Sequence, residues 1–218
     1  MNDLKLADLI YPKEANTIEE KKVKLNRKLT FWENYEKRDM NLSENDYSKL
    51  LAPIFSFEDL ITFWQFWNKY PGSNPSNLFY NGECIKYFFS DKKRIIAMNL
   101  FLHGIKPEWE DESNKNGKIL ILDYIISKNE EVMKFLDIAK EYWMKLLCCF
   151  MGESLVNSQF INGVRFIDKC KINIQNKKIL FRFEIWVNKE ITKEKLDELK
   201  DNLRQMFSSE YILEKDIK

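Results

Sequence analysis

Histidine is nearly missing from this 218-residue chain, with His103 the only one. Histidine relays for acid–base catalysis and multi-histidine metal sites therefore have nothing to build on. Glycine is scarce at six residues, and no GxxxxGKS/T, GxGxxG or GxSxG pattern occurs. That removes the phosphate-cradling loops and the nucleophile elbow of the common nucleotide and ester hydrolases. Four cysteines, Cys84, Cys148, Cys149 and Cys170, show no CxxC spacing. Reduced, buried thiols and a cytoplasmic location are expected, rather than disulfides or zinc. Net charge is only +1, too little for coating long nucleic acid, so any such contact should be short and local. No apolar run approaches the roughly 20 residues that cross a bilayer, and the first five residues lead into no secretory segment. Neither membrane association nor a cofactor is expected.

What the chain does have is tryptophan, at Trp32, Trp64, Trp67, Trp109, Trp143 and Trp186. With 44% apolar and 32% charged residues it can bury one substantial core. A single domain is expected over 27–218, after a flexible polar arm, 1–26. Residues 28–34 alternate Leu29, Phe31 and Glu33 against Thr30, Trp32 and Asn34, a strand pattern. Ser56 is the expected N-cap of a helix running to Tyr70, with Pro71–Gly72 ending it and a loop over 71–82. One or two strands are expected within 85–102, and the nearly continuous Ile and Leu of 118–126 predicts a buried strand.

The clearest element is a helix over about 130–151, where Val132, Phe135, Leu136, Ala139, Trp143, Leu146, Leu147 and Phe150 keep one face. Residues 164–174 and 178–187 form an expected hairpin about Gln175-Asn176. A third helix is expected over 192–207, then a last strand at 211–213. The elements follow no βαβ rhythm, which favours an antiparallel sheet with helices on one face.

Residues 104–117 carry the chemistry. Pro107, Asn114, Asn116 and Gly117 predict an irregular loop between strands, and Trp109 sits in it beside Glu110. An exposed indole face attracts flat cationic rings, and a carboxylate accepts from two parallel N–H donors. A guanine edge offers N1–H and N2–H in that geometry, and methylation at N7 makes the ring cationic. The residues alone also allow Trp109 to cap the sheet above a solvated acidic loop. A general acid or base among Glu108, Glu110 and Asp111 would need a partner that nothing identifies, so no enzyme is expected. The helix holding Leu60, Trp64 and Trp67 has too many apolar positions for one core face, and Met133, Met144 and Cys148 lie off the core direction of another helix, which fits either buried core or a groove for an amphipathic helix.

The loop GIKPEWEDESNKNG (104–117) resembles the signature loop of the eukaryotic translation initiation factor 4E family, cytoplasmic proteins that bind the 5′ cap of mRNA. WMKLLCCFMGESL (143–155) is similar to the end of that family's central helix, LNRKLTFW (25–32) to its first strand, and Leu60-Ile61-Thr62-Phe63-Trp64 to its partner-binding helix. The resemblance covers about 25–210. It implies an α+β fold, a curved antiparallel β-sheet with three main helices packed on its convex face. It also implies that Trp109 stacks on 7-methylguanine, that Glu110 takes N1–H and N2–H, and that Trp186 lies near the N7-methyl group. The opposite plate falls on Tyr47, where most members carry tryptophan. Lys169 and Arg182 match the family's phosphate-binding cations, and a turn between Gln175 and Asn176 sets them opposite each other. Lys118 adds a further positive charge.

Leu60, Trp64 and Met144, beside Lys145 and Cys148, match the surface that holds the scaffold factor 4G or a 4E-binding repressor through an amphipathic helix. Capped mRNA and such a partner are expected, on a monomer. Four departures stand out. Lys145 replaces a glutamate, which predicts an acidic partner residue facing it. Val23-Lys24 replaces His-Pro. The stretch between Trp67 and Leu100 is longer than in the family, which fits a surface insertion or an added RNA or protein contact. The hairpin is also lengthened. With Tyr47, this keeps open the alternative of a same-fold interaction or repressor module with weak or lost cap affinity.

Overall fold

Alternating side chains organise the molecule into two unequal faces of one sheet. The computed structural model describes residues 23–37, 50–80, 93–125, 132–172, 177–178, 180–208 and 212–217. The expectations for the arm before residue 23, for Tyr47 and for Cys84 lie outside the described residues. The elements in order are β1 (Lys24–Lys37), β2 (Leu51–Asp59), α1 (Leu60–Trp67), α2 (Pro75–Phe79), β3 (Lys93–Leu102), β4 (Lys118–Ile125) and α3 (Val132–Met151). They continue with β5 (Ile161–Asp168), β6 (Lys171–Ile172), β7 (Lys177–Lys178), β8 (Leu180–Val187), α4 (Lys193–Phe207) and β9 (Leu213–Asp216). Seven strands form a curved, open sheet in the order β2-β1-β3-β5-β8-β4-β9, every neighbouring pair antiparallel. The expected α+β class is therefore correct. Among the described residues no helix is long and apolar enough to cross a membrane.

The helix-covered face carries the main core. Leu29 and Phe31 of β1, Met98 and Leu100 of β3, Leu120 and Leu122 of β4, Val164 and Phe166 of β5, and Phe181, Phe183 and Ile185 of β8 pack there with α3 and α4. Period-2 alternation then sends the intervening residues to the other, open face. Among the described residues that face carries a small second cluster: Phe101, Ile119, Ile121, Trp186 and Ile217, with Trp32 and Ile105 against it. The open face is where polar chemistry can sit.

Several boundaries differ from the sequence expectation. β1 starts at Lys24, three residues before the expected start of the domain. Ser56 is not the N-cap of α1. It lies in β2 with its hydroxyl 2.9 Å from Thr30 Oγ1, and Asp59 caps the helix by accepting from Thr62 N at 2.8 Å. β2, which the sequence did not announce, runs to Asp59 because it pairs with β1 through Phe57, with Lys24 opposite Asp59. The expected loop after Tyr70 instead holds a 3-10 turn, Pro71–Ser73, and the short α2, which among the described residues adds a fourth helix to the three main ones. Proline and Asn74 had suggested loop. Here Pro75 opens α2 at its first position while the Asn74 side chain caps it. Phe79 at the end of α2 is fully buried against Phe166 and Phe181, so this part of the lengthened stretch contributes core. The last strand runs two residues later than expected and occupies the sheet edge beside β4.

Candidate functional site on the open face

Cross-strand register builds the site in rows. The first row runs Thr30, Phe101, Gly163, Trp186, Ile119 and Lys215 across six strands. The next runs Trp32, Asn99, Arg165, Glu184, Ile121 and Leu213, and the third Asn34, Ala97, Ile167, Arg182 and Asp123. The close approach at Gly163 is obligatory, since a Cβ there would lie 2.3 Å from the Phe101 ring.

The loop from His103 to Gly117 stands at the end of the first row and is held from inside. Asn114, fully buried, donates from Nδ2 to Lys106 O at 2.8 Å and to Glu108 O at 2.9 Å. Asn162 donates in turn to Ser113 O at 2.7 Å and Asn114 Oδ1 at 3.0 Å. The Asp111 carboxylate accepts from Lys106 N at 2.9 Å and from Ser113 N at 3.0 Å. Gly117 ends the loop against β8, where a Cβ would meet Val187 O at 2.2 Å. With its backbone tied inward, the loop leaves Trp109 49% exposed and Glu110 exposed. Among the described residues Glu110 has no ion pair. Lys215 Nζ lies 4.3 Å from the centroid of the Trp109 ring.

Trp186, expected near the N7-methyl group, lies inside the sheet's small second cluster. Its ring is fully buried, edge-on to Phe101 at 5.6 Å and under the Arg165 guanidinium at 5.2 Å, and its Nε1 donates to Glu184 at 3.0 Å. It forms the floor of the open face, and no part of it is exposed for a ligand to touch.

The expected hairpin register also needs correction. Ile167, not Lys169, pairs with Arg182, and Lys169 N donates to Leu180 O at 3.0 Å instead. The ribbon continues in the same register, Lys171 opposite Lys178, and the expected turn about Gln175-Asn176 lies outside the described residues. A two-residue shift across the ladder keeps side chains on the same face. Lys169 therefore still neighbours Arg182, Arg165, Glu184 and Asp123. Desolvation lowers the Lys169 pKa most, and Arg182 and Arg165 lower it further against the pull of Glu184 and Asp123. Arg182 is itself engaged by Asp123, at 2.7 and 2.9 Å, and this pairing raises its pKa.

Lys118 belongs to the other face by alternation with Leu120 and Leu122. It bonds Glu214 at 2.6 Å and Asp216 at 2.7 Å, which ties β9 to β4 rather than completing a row of cations.

Sequence reading missed the polar ladder in the middle row. Arg165 donates from Nε to Asn99 Oδ1 at 2.7 Å and from Nη1 to Glu184 at 3.3 Å, and Asn99 donates to Asn34 Oδ1 at 2.8 Å. Burial lowers the Arg165 pKa despite the opposing charge of Glu184. A signal was present: Arg165 lies between Val164 and Phe166, and Glu184 between Phe183 and Ile185, each a charge flanked by apolar residues within a strand.

On the helix face, Leu60, Trp64 and Met144 are half-buried against the main core, while Cys148 is exposed and Met133 is 47% exposed. Lys145 is exposed on α3. Its ammonium donates to Met206 O at 2.5 Å and lies 5.9 Å from the centroid of the Phe207 ring, at the end of α4.

A family model for eukaryotic initiation factor 4E matches residues 24–216. The chain belongs to the initiation factor 4E family. It is 30% identical over 184 residues to eukaryotic translation initiation factor 4E of Candida albicans, covering 84% of this chain and 72% of that protein. With the Homo sapiens factor 4E it shares 29% identity over 148 residues, 63% of this chain and 58% of the human protein. Two solved structures share the fold of this factor 4E family member. Caenorhabditis elegans eIF4E-3 in complex with the 4E-binding protein Mextli gives a TM-score of 0.62 at 19% identity, covering 89% of this chain and 93% of the other. Ascaris suum eIF4E-3 with an m2,2,7G cap gives 0.62 at 19%, covering 90% and 92%.

Proposed function

We propose that this member of the factor 4E family binds the 7-methylguanosine 5′ cap of mRNA on the open face of its sheet and takes part in translation initiation in the cytoplasm. The observation that carries the reading is the loop held by Asn114 and Asn162. It presents a half-exposed indole and an unpaired carboxylate side by side, Trp109 and Glu110. The indole stacks on the cationic base, and Glu110 accepts its N1–H and N2–H. Lys169 and Arg182, two rows down, take the phosphates, with Asp123 yielding Arg182 to the ligand. Trp186 acts from beneath, as the support of the surface over which the base lies. Tyr47 remains the proposed opposite plate. The relatives matched in structure were solved with cap analogues or 4E-binding proteins, which supports this reading and the partner that follows. That partner is the scaffold factor 4G or a 4E-binding repressor, whose amphipathic helix packs on Leu60, Trp64, Met144 and Cys148.

Titration with 7-methyl-GTP tests the cap reading through tryptophan fluorescence. The expected result is strong quenching by 7-methyl-GTP and much weaker quenching by GTP. Glu110→Ala should weaken binding by about tenfold or more, the effect of losing charge-assisted hydrogen bonds of ~1.5–3 kcal/mol. Equal quenching by both nucleotides, or none by either, defeats the reading.

A second reading, an interaction or repressor module with weak cap affinity, is favoured by one observation. Trp186 is wholly covered, where the family resemblance calls for a tryptophan near the methyl group. Retention of a helical partner peptide without retention on a cap-analogue resin would select it.

A further inference from the structure

Lys215 lies in the first row of the open face, opposite Ile119 and one strand beyond Trp186. Its ammonium rests 4.3 Å from the Trp109 ring centroid, within the range at which an indole face holds a cation. The strand that carries it is fixed. Lys118 bridges Glu214 and Asp216, Lys200 bonds Glu214 at 2.6 Å, and Ile217 N donates to Gly117 O at 2.9 Å. Ile217 is buried in the cluster that contains Trp186. Both acidic neighbours of Lys215 are thus spent on the other side of the strand, and among the described residues no carboxylate forms an ion pair with it. The second aromatic–cation contact of this face is different in kind, because Arg165 over Trp186 is paired with Glu184 at 3.3 Å. Lys215 brings an uncompensated charge to an exposed ring.

We propose that Lys215 is a specificity-determining residue that limits how strongly the site prefers a cationic purine over a neutral one, by holding its own ammonium on the Trp109 ring. The inference rests on the cap-binding reading above. An indole face attracts a cation through its quadrupole. A base on the same face must displace the ammonium, and a base on the opposite face shares the ring with it. In either case a methylated, cationic guanine is repelled by the positive charge of Lys215, whereas neutral guanine is not. The same lysine attracts the phosphates of both ligands, so its effect on overall affinity cancels when the two are compared at equal phosphate number.

The test compares wild type, Lys215→Gln and Lys215→Arg by fluorescence titration with 7-methyl-GTP and GTP at one moderate ionic strength, after melting curves establish that β9 is intact. The quantity read is the ratio of the GTP dissociation constant to that of 7-methyl-GTP. Lys215→Gln should raise the ratio roughly two- to fivefold, the size of an exposed cation–π contact. Lys215→Arg should leave it near the wild-type value, because the charge stays on the ring. Wild-type binding of 7-methyl-GTP with a ratio unchanged or lowered in Lys215→Gln overturns this inference alone. Failure of wild type to bind either nucleotide removes the cap reading and the inference together.

Discussion

At the scale of single residues, the site depends on side chains that never reach a ligand. Asn114 closes the Trp109 loop on itself with both hydrogens of its amide, and Asn162 ties that amide to β5. Asn114→Ala leaves Lys106 O and Glu108 O without their donor, a cost on the order of 1–3 kcal/mol for buried polar groups. The expected outcome is a lower urea midpoint together with faster amide exchange over 105–116, and weaker 7-methyl-GTP quenching even though Trp109 and Glu110 are intact. Gly163 sets a second constraint, because any Cβ must push the Phe101 ring that packs edge-on to Trp186. Gly163→Ala should destabilise by roughly 1–3 kcal/mol, as overpacking does, measured by chemical denaturation. Lys145 shows how a residue changes meaning with its neighbours. The resemblance set it against a partner, while α4 offers it a carbonyl and a ring.

At the scale of elements, strand alternation divides the charges between faces, and pairing decides which cations are available. Arg182 is held by Asp123 across β8 and β4, so phosphate binding must compete with that carboxylate. Asp123→Asn should therefore tighten triphosphate binding and steepen its salt dependence, read from titrations at two ionic strengths. The edge strand β9 depends on a carboxylate in a different way. Hydrogen bonds from Lys118 and then Lys200 hold the Glu214 pKa below the ordinary carboxylate range. A depressed carboxyl stabilises the native state above its unfolded-state pKa, and that contribution is lost as pH falls through the native value. Acidification should accordingly loosen β9 before the rest of the sheet. Amide exchange at 213–217 checks this, and Glu214→Gln should remove the pH dependence.

At the scale of the molecule, one sheet separates a packed face from an open one. Cys170 lies on the buried side of this division. Burial, then Asp168, pushes its thiol far up from the usual range, while Cys148 is exposed on α3. Iodoacetamide should modify Cys148 in the native protein and spare Cys170 until it unfolds, as peptide mass mapping would show. Much of this arrangement was legible beforehand. The period-2 run of β1 and the long apolar stripe of α3 were legible as strand and helix, because both patterns are local, whereas the nearly continuous Ile and Leu of β4 read only as a buried strand and did not reveal that Lys118 faces Glu214 and Asp216. The ends of α1 were not legible. Ser56 looks like a cap until β2 pairs through it with β1, which is a contact across 26 residues.

The sequence by itself determined the family, the class of fold, the loop with Trp109 and Glu110, and the alternation that puts Arg182 and Lys169 on one face. These follow from short-range spacing and from residues that remain adjacent however the chain folds. Tertiary structure alone decided which groups compete for one another. It paired Ile167 rather than Lys169 with Arg182, sent Lys118 to the edge clamp, and covered Trp186 with Arg165. It also brought Lys215 over Trp109, residues that only the pairing of β9 with β4 makes neighbours. Register and strand order are long-range choices set by which side chains fill the shared core, so no local pattern announces them.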